Sequence, residues 1–532
     1  MQTALLENEA LGAGNFFPLA RADAALAESV VIELDQPYTT RDGRVLTCLT
    51  LPELDDLADA IASGYWQDGI RPKDPVAVFL DESVRYLVHY VALNKIGAIP
   101  VFLNSGLSTE IATRFMAGVG AVAVVSDRER LPGEHPRMRF YERDPHADLP
   151  FRAFTHTRHD PTLIAHTSGT TGVPKAVQFN HEGFFFGVRK QAGADLGARI
   201  LSALPQSHAS AVSVLMSSLV RGATVLLATR REPEQLAEAI ERFRPNLVGG
   251  FPKTFVDLCR VDLDSRDLDS VSRWMCTGDA NHEQHIRKLV RQGTHTDRAG
   301  RLRRGSLFID NFGSSEFGFA MFRTVHTPTS DRYGRCIGSP FDWIDVEIFD
   351  QTDQPVGPMT VGRLALKSPT VTSGYWNNTL LSERNRVRGY WLTGDLAYRD
   401  HDGLYYHVDR ASDSITTGGG TVYSTETEEL ILTQFPEIFD CSLVATTDAT
   451  EAATGRAPAQ DGADAPLVLS VEPADALTEA DLASLHRRIN AALHTRGLPR
   501  ITRMVLQAPG DHSGLTGKAL KRTMREAYSN QS

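Results

Sequence analysis

The hydrophobic pattern of the chain switches repeatedly between two periods. Leu51, Leu54, Leu57, Ala58 and Ile61 recur at helical spacing and predict a helix over 51–64. Val76–Leu80 is a short continuous apolar run and predicts a strand, followed by a helix over Tyr86–Ile96 and a strand over Ile99–Leu103. A helix at 109–118 precedes a strand over Ala121–Ser126, and Leu163, Ile164 and Ala165 mark another buried strand. Further on, Ile200–Ala203 and Ala223–Ala228 read as strands, Pro233–Phe243 as a helix and Leu247–Gly250 as a strand. Strands alternating with helices predict parallel sheets in an α/β protein. Residues 1–40 carry little periodic signal and are expected to be partly irregular.

After about residue 335 the texture changes. Short apolar runs (Val346–Phe349, Gly362–Lys367, Gly403–Val408) alternate with Gly, Pro, Asn and Asp turns, which predicts a small antiparallel barrel or sheet. From residue 411 a compact α+β piece is expected, with helices at 425–434 and 478–495 and strands near 441–446 and 467–471. Residues 449–465, rich in Ala, Gly, Asp and Thr, read as a mobile loop. No internal repeat is visible. The fold class that follows is α/β, with a large N-terminal domain of α/β subdomains plus a small β-barrel, and a smaller C-terminal α+β domain.

Composition narrows the function. A chain of 532 residues, 42% of them hydrophobic, has the makings of several domains with a large core. A formal net charge of −11 disfavours nucleic acid and anionic membrane as partners. Five widely spaced cysteines (48, 259, 276, 336 and 441) fit reduced thiols better than a disulfide framework or a zinc site. The N-terminus lacks the basic start and apolar core of a signal peptide, and no apolar run approaches a membrane span, so the expected location is cytoplasmic.

The densest chemistry lies at Thr167-Ser168-Gly169-Thr170-Thr171-Gly172-Val173-Pro174-Lys175, directly after the predicted strand at 163–165. Gly169 and Gly172 allow backbone N–H groups to approach an anion without a Cβ in the way. Ser168, Thr170 and Thr171 add hydroxyl donors, and Lys175 adds a point charge suited to phosphate. The segment is a candidate polyphosphate cradle. It is not a Walker A loop, because the glycines are too close together, Pro174 precedes the lysine and Ala176 follows it.

This segment resembles the phosphate-binding signature of the adenylate-forming superfamily, which includes acyl- and aryl-CoA ligases, peptide-synthetase adenylation domains and luciferases. The resemblance extends along residues 45–525. Asn311-Phe312-Gly313-Ser314-Ser315-Glu316 is similar to the family's aromatic-Gly-x-Thr-Glu segment, and Trp391-Leu392-Thr393-Gly394-Asp395 to its Thr-Gly-Asp. Asp409-Arg410 with Ser412-Asp413 resembles the domain junction, Gly418-Gly419 with Glu426 and Glu428 the opening of the small domain, and Leu515-Thr516-Gly517-Lys518 the C-terminal Gly-Lys. The resemblance implies domains 1–410, carrying the ATP and carboxylate site, and 411–532, a mobile lid carrying the catalytic lysine. It implies Lys518 as the catalytic ammonium between carboxylate and α-phosphate, Glu316 as the magnesium ligand, Asp395 as acceptor from the ribose hydroxyls, and Arg410 at the ribose or phosphate. Gly278, Asp279 and Ala280, with Asn311 and Phe312, match the segments flanking adenine, while Gly313 and Ser315 belong to the same nucleotide site. His208 stands where acyl-CoA ligases gate the acyl pocket, for which Gly250, Phe251 and Phe317 are further candidates. Ser412 at the hinge, Ser424 in place of proline, Ala176 in place of glycine and His166 in place of an aromatic depart from the pattern.

The implied reaction is ATP- and Mg2+-dependent activation of a small carboxylic acid as acyl-adenylate, followed by transfer to CoA. The stretch His208-Ala209-Ser210-Ala211-Val212-Ser213 has no acid to hold an α-amine, which disfavours an amino acid substrate. Two alternatives accompany this expectation. One is a stand-alone adenylating enzyme serving a separate carrier protein or an amine, including the type that activates nitrite. The other is a nucleotide-binding regulator without catalysis, which retention of Lys518, Glu316 and Asp395 argues against.

Overall fold

Two sheets organise the large N-terminal part of the chain. The structure is a computed structural model that describes residues 2–40, 42–128, 137–138, 152–167, 173–297, 299–418, 420–446, 465–508 and 521–529. One sheet has six strands in the order Arg137–Met138, Ala123–Ser126, Pro75–Phe79, Ile99–Phe102, Pro161–His166 and Ala176–Asn180, parallel except for the last pair. In the second, Val31–Thr39, Thr224–Leu227, Arg199–Ser202, Leu247–Gly250, Arg273–Thr277 and Leu307–Phe312 run parallel. Their apolar continuity reflects helices covering both faces. The long helix Leu51–Gln67 starts where Thr50 and Glu53 form a reciprocal capping box.

The antiparallel strands expected to form a barrel instead continue the second sheet. Phe322–His326 pairs with Leu307–Phe312 on one side and with Cys336–Pro340 on the other, and the path runs on through Tyr405–Arg410, Tyr390–Arg399, Gly362–Lys367 and Asp345–Phe349. Among the described residues no ladder closes this path. The strand expected at 403–408 lies two residues later, because Gly403 belongs to a turn in which its N–H donates to the Asp400 carbonyl. Residues 1–40, expected to be partly irregular, form the helices Gln2–Glu7, Phe16–Ala22 and Ala24–Ser29 and the strand Val31–Thr39. Their order comes from distant partners, which local periodicity does not register. Ile32 pairs with Val225, and Asn15 donates to the His156 carbonyl at 3.1 Å.

The smaller C-terminal part packs the helices Ser424–Gln434 and Glu479–Thr495 on the sheet Ile438–Ala445, Leu467–Pro473 and Arg503–Leu506, around Ile431, Leu443, Leu469 and Ile489. The loop expected at 449–465 lies, except for residue 465, outside the described residues. Arg260 grips Glu472 through two hydrogen bonds of 2.9 and 2.7 Å, which ties this part to the large one. Nearby, His282 Nδ1 lies 2.5 Å from Glu429, and Gln284 Nε2 donates to the Phe439 carbonyl at 2.6 Å. Burial draws the His282 imidazole down, but the Glu429 carboxylate outweighs it, and the net shift is upward; Glu429 in turn lies below the usual carboxylate range despite its burial.

A histidine raised on docking contributes stability below its ordinary value that disappears as pH rises through the raised one. Burial also pushes the neighbouring Asp440 carboxyl up to about 6, which weakens docking in the same direction as pH rises. The attachment of the small part is therefore expected to loosen as pH rises from about 4 to about 6 with Asp440, and on from about 6.5 through the raised value of His282. Hydrogen exchange in the helix Ser424–Gln434, corrected for intrinsic rates, should accelerate over that interval, and Glu429→Gln should reduce the pH dependence without abolishing it.

Candidate active site

The hairpin Pro161–His166/Ala176–Asn180 presents the hydroxyl-rich loop. Its ends are tied where Thr167 N donates to the Lys175 carbonyl at 3.1 Å and Lys175 N donates to Thr167 Oγ1 at 3.3 Å. Ser168, Gly169, Thr170, Thr171 and Gly172 lie outside the described residues, as does Lys518. Lys175 Nζ donates to the Tyr375 hydroxyl at 3.4 Å and stands 5.1 Å from the centre of its ring. Tyr375 donates to Glu316 Oε1 at 2.9 Å, and Ser314 donates to Oε2 at 3.0 Å. Lysine, phenol and carboxylate thus form a chain across three separate segments. Burial, and then the Glu316 charge, holds the Tyr375 phenol well above its ordinary value.

Glu316 lines the cavity with one accepted hydrogen bond on each oxygen, and a carboxylate has lone pairs for more. No group of three or more metal-ligating side chains exists among the described residues. The spare lone pairs of Glu316 fit a hard cation completed by phosphate oxygens and water.

A second group surrounds Asp395. Arg335 Nη2 donates to His407 Nδ1 at 2.8 Å, which leaves the ring proton on Nε2, 3.6 Å from Asp395 Oδ1. Arg410 Nε stands 3.4 Å from the same oxygen. Burial acts against ionisation of Asp395, but Arg410 and then His407 prevail and lower its pKa. Oδ1 is nevertheless buried without a hydrogen-bond partner among the described residues. Arg335 also donates to the Ala280 carbonyl at 3.1 Å and lies 3.7 Å from Asp279. Phe312 packs 5.0 Å from His407.

A cavity of about 430 Å³ joins these features. Thr167, Lys175, Gly278, Asn311, Gly313, Ser315, Glu316 and Arg410 border it, and His208 and Phe251 border its continuation. Gly278 adopts φ +106, where a Cβ would also touch the Phe251 ring at 3.4 Å. His208 caps the helix Ala209–Leu219, its Nδ1 accepting from Ser210 N at 3.1 Å and from Ser210 Oγ at 2.7 Å, and its ring meets Phe251 edge-on at 5.0 Å. Asp279, Ala280, Phe312 and Asp395 stand behind the wall. Two further candidates do not border the cavity: Phe317 is 1% exposed, and Gly250 makes room for Thr254, 3.0 Å from where its Cβ would be.

Sequence reasoning missed Tyr375, Arg335, His407, Gln191, Arg221 and Arg323. Gly374-Tyr375-Trp376 offered a turn-then-aromatic signal; the others acquire their partners only through the fold. Ser424, a departure from the family pattern, has a visible place. Its N–H and hydroxyl both donate to the fully buried Asp409, and Lys521 donates to its hydroxyl at 2.6 Å. Lys521 is buried and paired with Glu428 at 2.8 Å.

The parallel sheet and the cavity at its carboxyl edge define an α/β enzyme of the adenylate-forming class, with a large N-terminal and a smaller C-terminal part. Residues 36–376 match the sequence family described as AMP-binding enzyme, and the chain belongs to that family. It is 38% identical to 3-aminoavenalumate diazotase of Streptomyces sp over 97% of this chain and 96% of that protein. It is 28% identical to feruloyl-CoA synthase of Amycolatopsis sp over 79% of this chain and 85% of that one. The crystal structure of the anthranilate CoA ligase AuaEII with anthranoyl-AMP has the same fold, with a TM-score of 0.80 at 18% identity over 98% of both chains. Among the described residues no helix is long and apolar enough to cross a membrane.

Tyr375→Phe removes the hydroxyl that links Lys175 to Glu316. The variant is expected to lose about 1–2 kcal/mol of stability, the cost of unpairing a half-buried charged acceptor. Denaturant midpoints of the two proteins measure this directly.

Proposed function

We propose that this enzyme uses ATP to activate nitrite as a mixed anhydride with AMP and passes the nitroso group to an aromatic amine. The observation that carries the adenylating half is one continuous cavity bordered by Lys175, Glu316 and Arg410 together with His208 and including, beyond it, a serine-lined chamber. The choice of nitrite and amine rests on similarity to a diazotase along nearly the whole of both chains. In the first step a nitrite oxygen attacks the α-phosphorus, and the bond to pyrophosphate breaks. In the second the amine nitrogen attacks the nitroso nitrogen and AMP leaves with its oxygen; loss of a proton and then of hydroxide yields the diazonium.

In this reading Lys175 and the loop at 168–172 hold the phosphates. The ribose meets Arg410, which Asp395 backs from behind the wall at 3.4 Å, and adenine lies between the segments 278–280 and 311–313. Glu316 would hold Mg2+ together with phosphate oxygens, the ion supplying charge neutralisation at the α-phosphate. His208 gates the passage to the chamber. Residues 1–410 act as the binding domain and 411–532 as the lid, which brings Lys518 to the α-phosphate. Arg525, whose guanidinium reaches the Ser412 carbonyl at 3.4 and 3.5 Å, steadies the hinge in the observed orientation.

Transfer of an acyl group to CoA is the second reading, favoured by the similarity to feruloyl-CoA synthase. Pyrophosphate exchange decides between them. Exchange driven by nitrite alone is expected; exchange driven by an aryl carboxylate without nitrite, with AMP release on adding CoA, would replace this reading with the second. Lys518→Ala is expected to slow exchange by about 100- to 1000-fold, the usual cost of removing one donor to a developing charge. Equal slowing of transfer from supplied adenylate would remove Lys518 from its assigned step.

A further inference from the structure

Two cations line the chamber, and neither hydrogen-bonds a carboxylate among the described residues. Arg221 follows the helix Ala209–Leu219 and lines the cavity. Its Nη1 donates to the Gln191 carbonyl at 3.2 Å, and its Nε is buried without a hydrogen-bond partner among the described residues. Arg323, on the strand Phe322–His326, lines the same cavity. Its Nε donates to Asn311 Oδ1 at 2.9 Å and its Nη1 to Gln191 Oε1 at 2.8 Å. Gln191 therefore fixes both guanidiniums, one through its main chain and one through its side chain. All of these partners are neutral amides. Asp195, whose charge Arg221 feels, lies 3.7 Å from Arg273 instead.

This arrangement is costly without an anion. Burial, and then the Arg323 charge, draws Arg221 down to about 10, and burial lowers Arg323 as well. Guanidinium forks match carboxylates in shape, and the match gains strength where water is scarce. The position of the pair gives it a direction. Ser210, Ser213, Ser217 and Arg221 recur along one face of the helix and line the cavity. The chamber thus follows the helix for roughly 20 Å, at 1.5 Å per residue, from His208 to Arg221. His208 touches Phe251, and Phe251 faces Gly278, so the nucleotide wall adjoins the His208 end. Arg221 stands at the other end, where Gln191 holds it and Arg323 together.

We propose that Arg221 and Arg323 bind a carboxylate that the acceptor carries but that is never activated. Resting on the diazotase reading above, the acceptor is an amino-substituted aromatic acid: its carboxylate lies on the two guanidiniums, and its ring spans the serine-lined chamber. Its amine points toward the group activated on the nucleotide. An unreacting anion anchored at the remote end orients a rigid ring so that only the amine reaches the reacting atom. A purely structural role is the competing account, in which Arg221 serves only the carbonyl end of the helix His181–Gln191.

The test is equilibrium binding to the full-length enzyme by calorimetry, with 3-aminocinnamate and its neutral carboxamide as probes. Wild type is expected to bind the acid about 10- to 100-fold more tightly than the amide, the worth of charge-assisted hydrogen bonds. Arg221→Gln and Arg323→Gln should each remove most of that ratio, and Arg221→Lys should keep part of it. Equal binding of acid and amide by wild type overturns the proposal, as does a ratio preserved in both glutamine variants. Parallel weakening of both probes with the ratio intact assigns the arginines a structural role only. If Arg221→Gln fails to fold, Arg323→Gln decides alone. Nitrite-driven pyrophosphate exchange separates the two claims: exchange without an acid-over-amide ratio sinks the arginine subsite and spares the diazotase reading. The ratio without exchange does the reverse.

Discussion

The direction of a few parallel strands constrains everything else in this molecule. Arg199–Ser202, Leu247–Gly250, Arg273–Thr277 and Leu307–Phe312 all point their carboxyl ends to one edge. Backbone N–H and C=O groups within the sheet are paired with neighbours; those just past its edge are not. The segments that leave the edge, at Phe251, Gly278 and Gly313, consequently form the wall of the cavity. Open α/β sheets bind ligands in this crevice. Strand order here decides which distant segments meet there.

Charge is distributed on this wall by relays more than by isolated groups. Lys175, Tyr375 and Glu316 share hydrogen bonds across three segments; Arg335 hydrogen-bonds His407, and His407 and Arg410 set their charge beside Asp395. Each relay fixes side chains that a flexible loop could not hold alone, which is what catalysis by preorganised charge requires. The chamber departs from this rule. Its arginines are positioned as firmly as the rest, through Gln191, yet among the described residues neither hydrogen-bonds an opposite charge.

Much of the fold was legible in the chain. Pro233–Phe243, Leu247–Gly250 and Gly362–Lys367 coincide with their predicted bounds, because a strong period or flanking Gly and Pro residues marks both ends. The first forty residues were not legible, since Phe16 and Ile32 are ordered by partners far along the chain. The barrel became an extension of the sheet for a related reason: alternation predicts strands but not whether the last one returns to the first. At the site, the motif residues Lys175, Glu316, Gly278 and Arg410 were found by pattern, and the cavity brings them together. Gly250 and Phe317 do not border that cavity: Phe317 is buried, and Thr254 occupies the space beside Gly250.

By itself the sequence determined the class: a hydroxyl-rich loop, two acidic motifs and a distant Gly-Lys in fixed order, each recognisable because its chemistry is local. Only the tertiary structure decided what shares a space with them. Tyr375 lies two hundred residues from Lys175, and Arg221 and Arg323 lie on a helix end and a strand that no pattern joins. The reason is physical. Local conformation follows from nearest neighbours along the chain, whereas the electrostatics of a cavity follows from which elements pack around it.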